Sequence, residues 1–138
     1  MPFTGNFTCD VFKSGVLDGN FDFGVGTTNV FKIALYTNAS TLDQNTIAYT
    51  TVGEVVATGY TAGGNVLSPT LSILDGTAFI TFTNTSWTSA LTARGALIYK
   101  VGGAAVCVLD FGADKTSNTT FTVQFPAVTN TSAIIRIS

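Results

Sequence analysis

Three polar residues at alternate positions, Asp18, Asn20 and Asp22, could supply oxygen ligands to a calcium ion. Calcium loops of the EF-hand type also need a glycine at position 6 and a glutamate at position 12. The sequence has Phe23 and Asn29 at those two positions. Because both required residues are replaced, we interpret the segment as a polar turn between a helix and the first strand.

A second tripeptide, Asp110-Phe111-Gly112, has the sequence that holds magnesium in protein kinases. A kinase also needs a glycine-rich nucleotide loop and a catalytic loop beginning His-Arg-Asp. Neither occurs in this sequence. We interpret the tripeptide as the end of an apolar strand that enters a turn.

The ionisable residues inside apolar runs are few. Glu54 is the only glutamate, and Arg94 and Arg136 are the only arginines. A guanidinium group suits bidentate pairing with a carboxylate. The candidate partners are Asp110, Asp114 and Glu54, and we expect a structural ion pair rather than a catalytic one.

Histidine is absent, which removes histidine-based triads, histidine metal sites and the usual acid–base catalyst at neutral pH. Serine and threonine are abundant, but no motif for activating a hydroxyl accompanies them. We therefore predict no enzymatic activity, no cofactor and no catalytic, cofactor-binding or metal-binding residue. Six lysines and arginines form no cluster for binding nucleic acid, and no apolar run is long enough to span a membrane.

The two cysteines, Cys9 and Cys107, lie far apart in the sequence. This spacing excludes a zinc ribbon and a thioredoxin-type motif. Cys107 lies in an apolar run and should behave as a small buried hydrophobic residue. Spacing alone leaves a disulfide between the two cysteines open.

Trp87 and the four tyrosines, Tyr36, Tyr49, Tyr60 and Tyr99, allow two interpretations. Exposed together, they would form an aromatic platform for a sugar. Buried, they would fill the core of a β domain, which is the commoner use of aromatic residues.

Charged residues are scarce, at 10% of the chain against about 25% in an average domain. A monomer of this mass exposes roughly 6,800 Å². Six cationic and eight acidic side chains cannot cover that area at the density of an ordinary soluble surface. Uncharged polar residues or other protein must cover the rest, and we expect burial in an oligomer or a larger assembly.

Runs rich in β-branched and aromatic residues alternate with clusters of Gly, Asn, Asp and Ser, the pattern of strands and turns. Strands are predicted at residues 30–37, 54–60, 66–74, 78–83, 95–101, 105–111, 119–125 and 134–137. Asp75-Gly76 predicts a type I′ hairpin turn, and Gly102-Gly103 and Gly63-Gly64 predict further turns. Pro69 indicates an edge strand or a bulge, because proline cannot donate to a central ladder.

The start of the chain differs, since Phe7, Val11 and Phe12 have helical spacing. Thr8 is a candidate N-cap, Gly15 weakens the helix and Gly19-Asn20 should end it. We expect an all-β chain: residues 1–25 form an N-terminal arm or short helix packed on the domain. Residues 26–138 form a single antiparallel β-sandwich or jelly-roll-like domain.

Four stretches read in order resemble a group of small β-rich virion structural proteins of tailed bacteriophages. They are residues 31–40 (FKIALYTNAS), 54–64 (EVVATGYTAGG), 92–99 (TARGALIY) and 108–115 (VLDFGADK). The tail, residues 121–127 (FTVQFPA) and 134–137 (IIRI), also fits. The group has no catalytic motif to transfer to this chain.

The resemblance implies a component of the phage particle, assembled in the host cytoplasm and located in the virion. A capsid decoration (cement) protein is the first expectation, with the major capsid protein as partner and a homo-oligomer, preferably a trimer, as the working form. On this view residues 1–20 are an arm that docks on a neighbour. The alternative is a tail, neck or fibre-associated protein that contacts a host glycan.

Overall fold

A computed structural model of the chain describes residues 3, 5–125 and 134–137. These residues form an all-β, sandwich-like domain of antiparallel sheets with one short helix. The elements in chain order are β1 (Phe7–Thr8), α1 (Asp10–Leu17), β2 (Phe31–Tyr36), β3 (Asn65–Leu67), β4 (Pro69–Leu74), β5 (Thr77–Phe82), β6 (Thr85–Trp87), β7 (Thr92–Lys100), β8 (Ala105–Thr116), β9 (Phe121–Val123) and β10 (Ile135–Ile137).

The strands form two sheets and a ribbon. The larger sheet has the order β1-β8-β7-β2-β3, the smaller sheet has the order β10-β5-β4, and β6 pairs with β9. Every strand pair is antiparallel. Among the described residues, no helix is long and apolar enough to cross a bilayer.

Phenylalanine rings join the two sheets into one core. Phe23 stacks on Phe31 of β2, with ring centroids 4.4 Å apart, and meets Phe82 of β5 edge-on at 6.4 Å. Phe12 of α1 reaches the same cluster through Phe21, at 4.8 Å. Burial of such rings is the main stabilising contribution available to a chain with few charges.

The helix predicted near the N-terminus is confirmed, but its cap is not the predicted one. The N-cap is Cys9, which makes no side-chain capping bond, rather than Thr8. Gly15 is buried, and a Cβ there would lie 2.4 Å from the Phe21 ring, so its small size permits close packing. Gly19 follows the helix with φ +83°, a left-handed conformation that suits glycine after a helix C-terminus.

Within the chain itself, the N-terminal segment packs on the larger sheet. β1 pairs with β8 at Val108 and Cys107, and the Cys9 amide donates to the Val106 carbonyl oxygen at 2.9 Å. Phe7–Leu17 is thus an integral part of the domain surface.

The strand predicted at residues 54–60 is wrong. Glu54 makes only an isolated bridge to Tyr36, and the segment around it is a loop. Gly53 and Gly59 have φ of +78° and +90°, which a strand does not permit.

The prediction of one strand at residues 66–74 is also wrong, because the chain changes sheets at Ser68. β3 belongs to the larger sheet and β4 to the smaller one. The short strands β1 and β6 were not predicted at all. The Asp75-Gly76 hairpin is confirmed, with φ of +51° and +77°, and Pro69 does lie on an edge strand.

Candidate functional site

Glu54 is the most deeply buried acid among the described residues, with 8% of its surface exposed. Its Oε1 accepts a hydrogen bond from the Tyr49 hydroxyl at 2.6 Å. Its Oε2 accepts from the Tyr60 hydroxyl at 2.7 Å and from the Gly63 amide at 2.8 Å. Three donors therefore hold a carboxylate that has no ion-pair partner in the described part of the chain.

The tyrosines around Glu54 are further tied to the backbone. The Tyr60 hydroxyl accepts from the Leu35 amide at 2.8 Å, and the Tyr36 hydroxyl donates to the Thr50 carbonyl oxygen at 2.6 Å. The Tyr99 hydroxyl donates to the Gly63 carbonyl oxygen at 2.7 Å. Burial raises the pKa of each of these tyrosines, so they remain protonated donors near neutral pH.

This tyrosine–glutamate cluster (Tyr36, Tyr49, Glu54, Tyr60 and Tyr99) fixes the long loop between β2 and β3 onto the larger sheet. Its hydroxyls are all used in hydrogen bonds to protein atoms. The arrangement is that of a structural polar network rather than a set of groups directed at a substrate.

The aromatic residues fill the core. Trp87, Tyr36, Tyr60 and Tyr99 are all buried, and Tyr49 is half-buried against Tyr99 with ring centroids 4.8 Å apart. These five residues do not form the exposed sugar platform considered from the sequence.

The ion pair expected for Arg94 is formed with Asp110, one of its three candidate partners. It links β7 to β8, and the two side chains are 17% and 13% exposed. The Asp110 carboxylate also accepts from the Gly112 amide at 2.8 Å, so Asp110-Phe111-Gly112 shapes the strand locally. Arg136 lies on β10 opposite Phe79 of β5.

The polar segment at residues 18–22 is a turn. The Asp22 carboxylate accepts from the Gly24 amide at 2.8 Å, and the Asn29 side-chain oxygen accepts from the Asp22 amide at 2.9 Å. Asp18 and Asn20 are exposed. In the ranges the structure covers, no group of three or more acidic or cysteine residues could hold a metal ion.

Both cysteines are free thiols, and both are buried. Burial, with Asp43 and Asp10 nearby, raises the pKa of the Cys9 thiol to about 12. Burial likewise raises the pKa of Cys107. The thiols are thus protonated and unreactive at neutral pH.

The smaller sheet and the end of α1 together carry several exposed apolar side chains. Leu17, Leu71, Ile73 and Ile137 are exposed by 90%, 54%, 75% and 58%, and we call them the apolar face. Ile73 and Ile137 align across Ala78, and Leu17 and Ile137 line one groove between α1 and β10. Leu71 and Ile137 also line one cavity, so the four residues lie around the same part of the surface.

The groove beside the apolar face has a volume of about 480 Å³. Phe12, Val16 and Ile135 contribute to its walls, and Lys13 and Arg136 also line it. A neighbouring cavity of about 250 Å³ continues to Leu71 and Ile80. A concave apolar surface of this kind suits contact with another protein.

Sequence reasoning identified the edge position of Pro69 but missed the apolar face. The available signal was the pair of apolar residues Leu71 and Ile73, separated by Ser72, in a strand without charge. Alternation shows that the two residues share a side of the strand, but not whether that side is covered.

Comparison of the chain with protein-family models, with curated proteins and with solved structures finds no match. The fold and the apolar face therefore stand as the basis for a functional proposal, together with the resemblance of the sequence stretches.

Proposed function

We propose that the chain is a structural protein of a tailed-bacteriophage particle, first of all a capsid decoration (cement) protein that contacts the major capsid protein. The phage particle is taken from the resemblance of the sequence stretches, and the single structural observation that supports a contact function is the apolar face, because it leaves four large apolar side chains in contact with solvent. Contiguous exposed apolar surface is typical of protein–protein contact sites.

The chemistry of the chain supports the same function. Three of the buried or largely buried ionisable groups make structural contacts: Glu54 within the tyrosine–glutamate cluster, and Arg94 with Asp110. With 10% charged residues and no histidine, the chain is suited to contacts with protein rather than to proton transfer.

A decoration protein would act by repetition. Each copy would contribute a modest apolar contact, and the symmetry of a shell would repeat that contact many times. The sum would hold neighbouring capsid subunits together against internal pressure without a strong individual site.

The alternative is a position in the tail, neck or fibres. Its version with a host glycan required an exposed aromatic patch. Four of the five aromatic residues are instead buried, and Tyr49 is half-buried. A position in the tail without a glycan site is still an alternative, and the following experiment detects it as binding to tails.

The experiment adds purified, labelled chain to particles of the encoding phage that lack it. We expect saturable binding to the heads, with a number of sites comparable to the number of capsid subunits. Leu17→Lys, on the apolar face, should weaken binding at least tenfold, about 1.4 kcal/mol. Val56→Lys, at a valine that is 97% exposed outside that face, is the matched control and should bind normally.

Binding to tails alone would move the protein to the alternative position. Absence of binding to any part of the particle, by a chain that remains folded, would overturn the proposal.

A further inference from the structure

In the part of the chain that the structure describes, β4 is the edge strand of the smaller sheet. β4 pairs with β5 over six residues, from Pro69 opposite Phe82 to Leu74 opposite Thr77. On its other side, no strand of the described residues pairs with it. An edge of this length presents backbone donors and acceptors to any strand that can align with them.

The hairpin turn determines which backbone groups of β4 point outward. In a two-residue hairpin, the residues flanking the turn form a hydrogen-bonded pair, and bonded and non-bonded pairs then alternate. Leu74, Ser72 and Thr70 therefore direct their backbone groups to β5. The bond from the Thr83 amide to the Ser68 carbonyl oxygen, at 3.4 Å, continues the same alternation.

Leu71 and Ile73 consequently direct their amides and carbonyl oxygens to the open side. Pro69 also faces outward, where its missing amide costs the sheet no bond. The outward backbone groups thus belong to the same two residues whose exposed side chains lie in the apolar face.

Apart from Pro69 at its start, β4 lacks the devices that normally prevent edges from pairing. It contains no charged residue. By contrast, the outer part of β8 carries Asp114 and Lys115, and Gly112 there has φ +83°. Charges and irregularities of that kind discourage edge pairing, and β4 has none of them.

We propose that β4 pairs antiparallel with β4 of a second copy of this chain, about a twofold axis at Ser72. In this register Leu71 of each copy bonds to Ile73 of the other through both backbone groups, which gives four hydrogen bonds across the axis. The two smaller sheets become one sheet of six strands.

We choose a second copy of the chain as the partner because β4 can pair with an identical strand. Leu71 and Ile73 are equally distant from Ser72, so one twofold axis satisfies both, as an isologous contact requires. Asp75, the one charge of the hairpin turn, falls opposite Pro69 of the other copy, so no like charges meet. The two apolar faces also become continuous across the axis.

The inference goes beyond the proposed function, because it concerns the purified chain alone. Its first test is Ser72→Cys, oxidised in solution. A non-hydrogen-bonded antiparallel pair has Cα atoms about 4.5 Å apart, within the disulfide range of about 4.4–6.8 Å. The native thiols are buried and do not compete. We expect a covalent dimer on a non-reducing gel.

Thr70→Cys is the matched control, on the same strand and the same side. Its two copies would lie about 14 Å apart in this register, given a rise of about 3.4 Å per residue, and should not cross-link. Equal or faster cross-linking of Thr70→Cys would overturn the register, and failure of Ser72→Cys to cross-link would overturn the pairing.

The second test is the mass in solution over a concentration series. The wild-type chain should have twice the monomer mass of 14.4 kDa. Ile73→Lys should be monomeric, while Val56→Lys should remain dimeric. A wild-type monomer or a trimer would overturn the twofold pairing. If the chain is a monomer that still decorates particles, the twofold pairing is overturned and the proposed function stands. If the chain is a dimer that binds no particle, the proposed function is overturned and the twofold pairing stands.

Discussion

At the scale of single residues, Glu54 shows how this chain uses a charge in its interior. The carboxylate is satisfied by two tyrosine hydroxyls and one amide instead of a cation. Hydrogen bonds to a charged group contribute more to stability than bonds between neutral groups. The side chain thereby anchors a loop that has no strand of its own.

Replacing Glu54 with alanine should lower the free energy of unfolding by about 3 kcal/mol, because two buried donors and one half-buried donor lose their acceptor. Glu54→Gln keeps one acceptor oxygen and should lose less than half as much. Urea denaturation of both variants measures the difference. A loss below about 1 kcal/mol for alanine would contradict the role assigned to the cluster.

Arg94→Ala should destabilise the fold by about 2–3 kcal/mol, because the largely buried carboxylate of Asp110 loses its cation. A double-mutant cycle with Asp110→Asn checks the coupling. The losses of unfolding free energy in the two single variants should sum to more than the loss in the double variant. Simple additivity, with an unchanged melting temperature for Arg94→Ala, would show that the pair is not stabilising.

At the scale of elements, glycines determine where the loop between β2 and β3 can meet the larger sheet. Gly64 has φ +79°, and a Cβ there would lie 1.8 Å from the Ile33 carbonyl oxygen. Gly76, in the β4–β5 hairpin, has nearly the same φ, +77°, but a Cβ there would meet nothing within 4 Å. Comparing substitutions at Gly64 and Gly76 therefore separates the effect of steric crowding from the effect of backbone strain.

Gly64→Ala should destabilise the protein by about 3 kcal/mol or more, since backbone atoms must move apart. Gly76→Ala should cost only about 1–2 kcal/mol, the cost of a left-handed conformation for alanine. Denaturant midpoints of the two variants give the comparison. Equal losses would mean that the close approach at Gly64 is not a constraint.

The sequence predicted the elements whose signals are local. The Asp75-Gly76 hairpin and the helix after Phe7 follow from turn chemistry and from apolar spacing. The segment 54–60 looks like a strand because Val55, Val56 and Tyr60 are β-formers, but its backbone follows Gly53, Gly59 and the contacts of Glu54. Those contacts join Glu54 to Tyr49, Tyr60 and Gly63 through side-chain hydrogen bonds in a loop, and the propensities of single residues do not reveal such bonds.

The surface was harder to predict than the fold. Pro69 correctly indicated an edge, whereas the exposure of Leu71 and Ile73 depends on which elements cover the smaller sheet. Likewise, the sequence identified Arg94 and three candidate partners, but only the register of β7 and β8 selects Asp110.

At the scale of the whole molecule, buried tyrosines and thiols make the free energy of unfolding depend on pH in the alkaline range. Burial raises the pKa of Tyr36, Tyr60 and Cys9 in the folded state. Below the unfolded-state pKa values, about 8.5 for a thiol and about 10 for a tyrosine, both states keep these protons and stability is unaffected. Above them, only the unfolded chain releases protons, so stability must fall as pH rises.

We therefore expect the urea midpoint to fall steadily above about pH 9–10, with tyrosinate absorbance increasing as the fold is lost. Both signals can be followed in one titration. Tyrosinate formation near pH 10 by all four tyrosines in a chain that stays folded would contradict the burial of their hydroxyls.

At the scale of the whole molecule, the exposed apolar face and the low charge are the features on which the proposed function rests. Its accessible surface of 7158 Å² carries only 14 charged side chains at most, against the denser charge of an ordinary soluble surface. The proposed function and the proposed pairing through β4 both follow from that surface, but each has its own test.

The most direct test of the proposed function is the copy number of the chain in purified virions, measured by quantitative mass spectrometry against the major capsid protein. We predict a number comparable with that of the capsid protein, as expected of a decoration protein. A number far below it would contradict the shell position and move the chain to the tail, neck or fibres. Absence from purified particles would contradict a structural role in the virion.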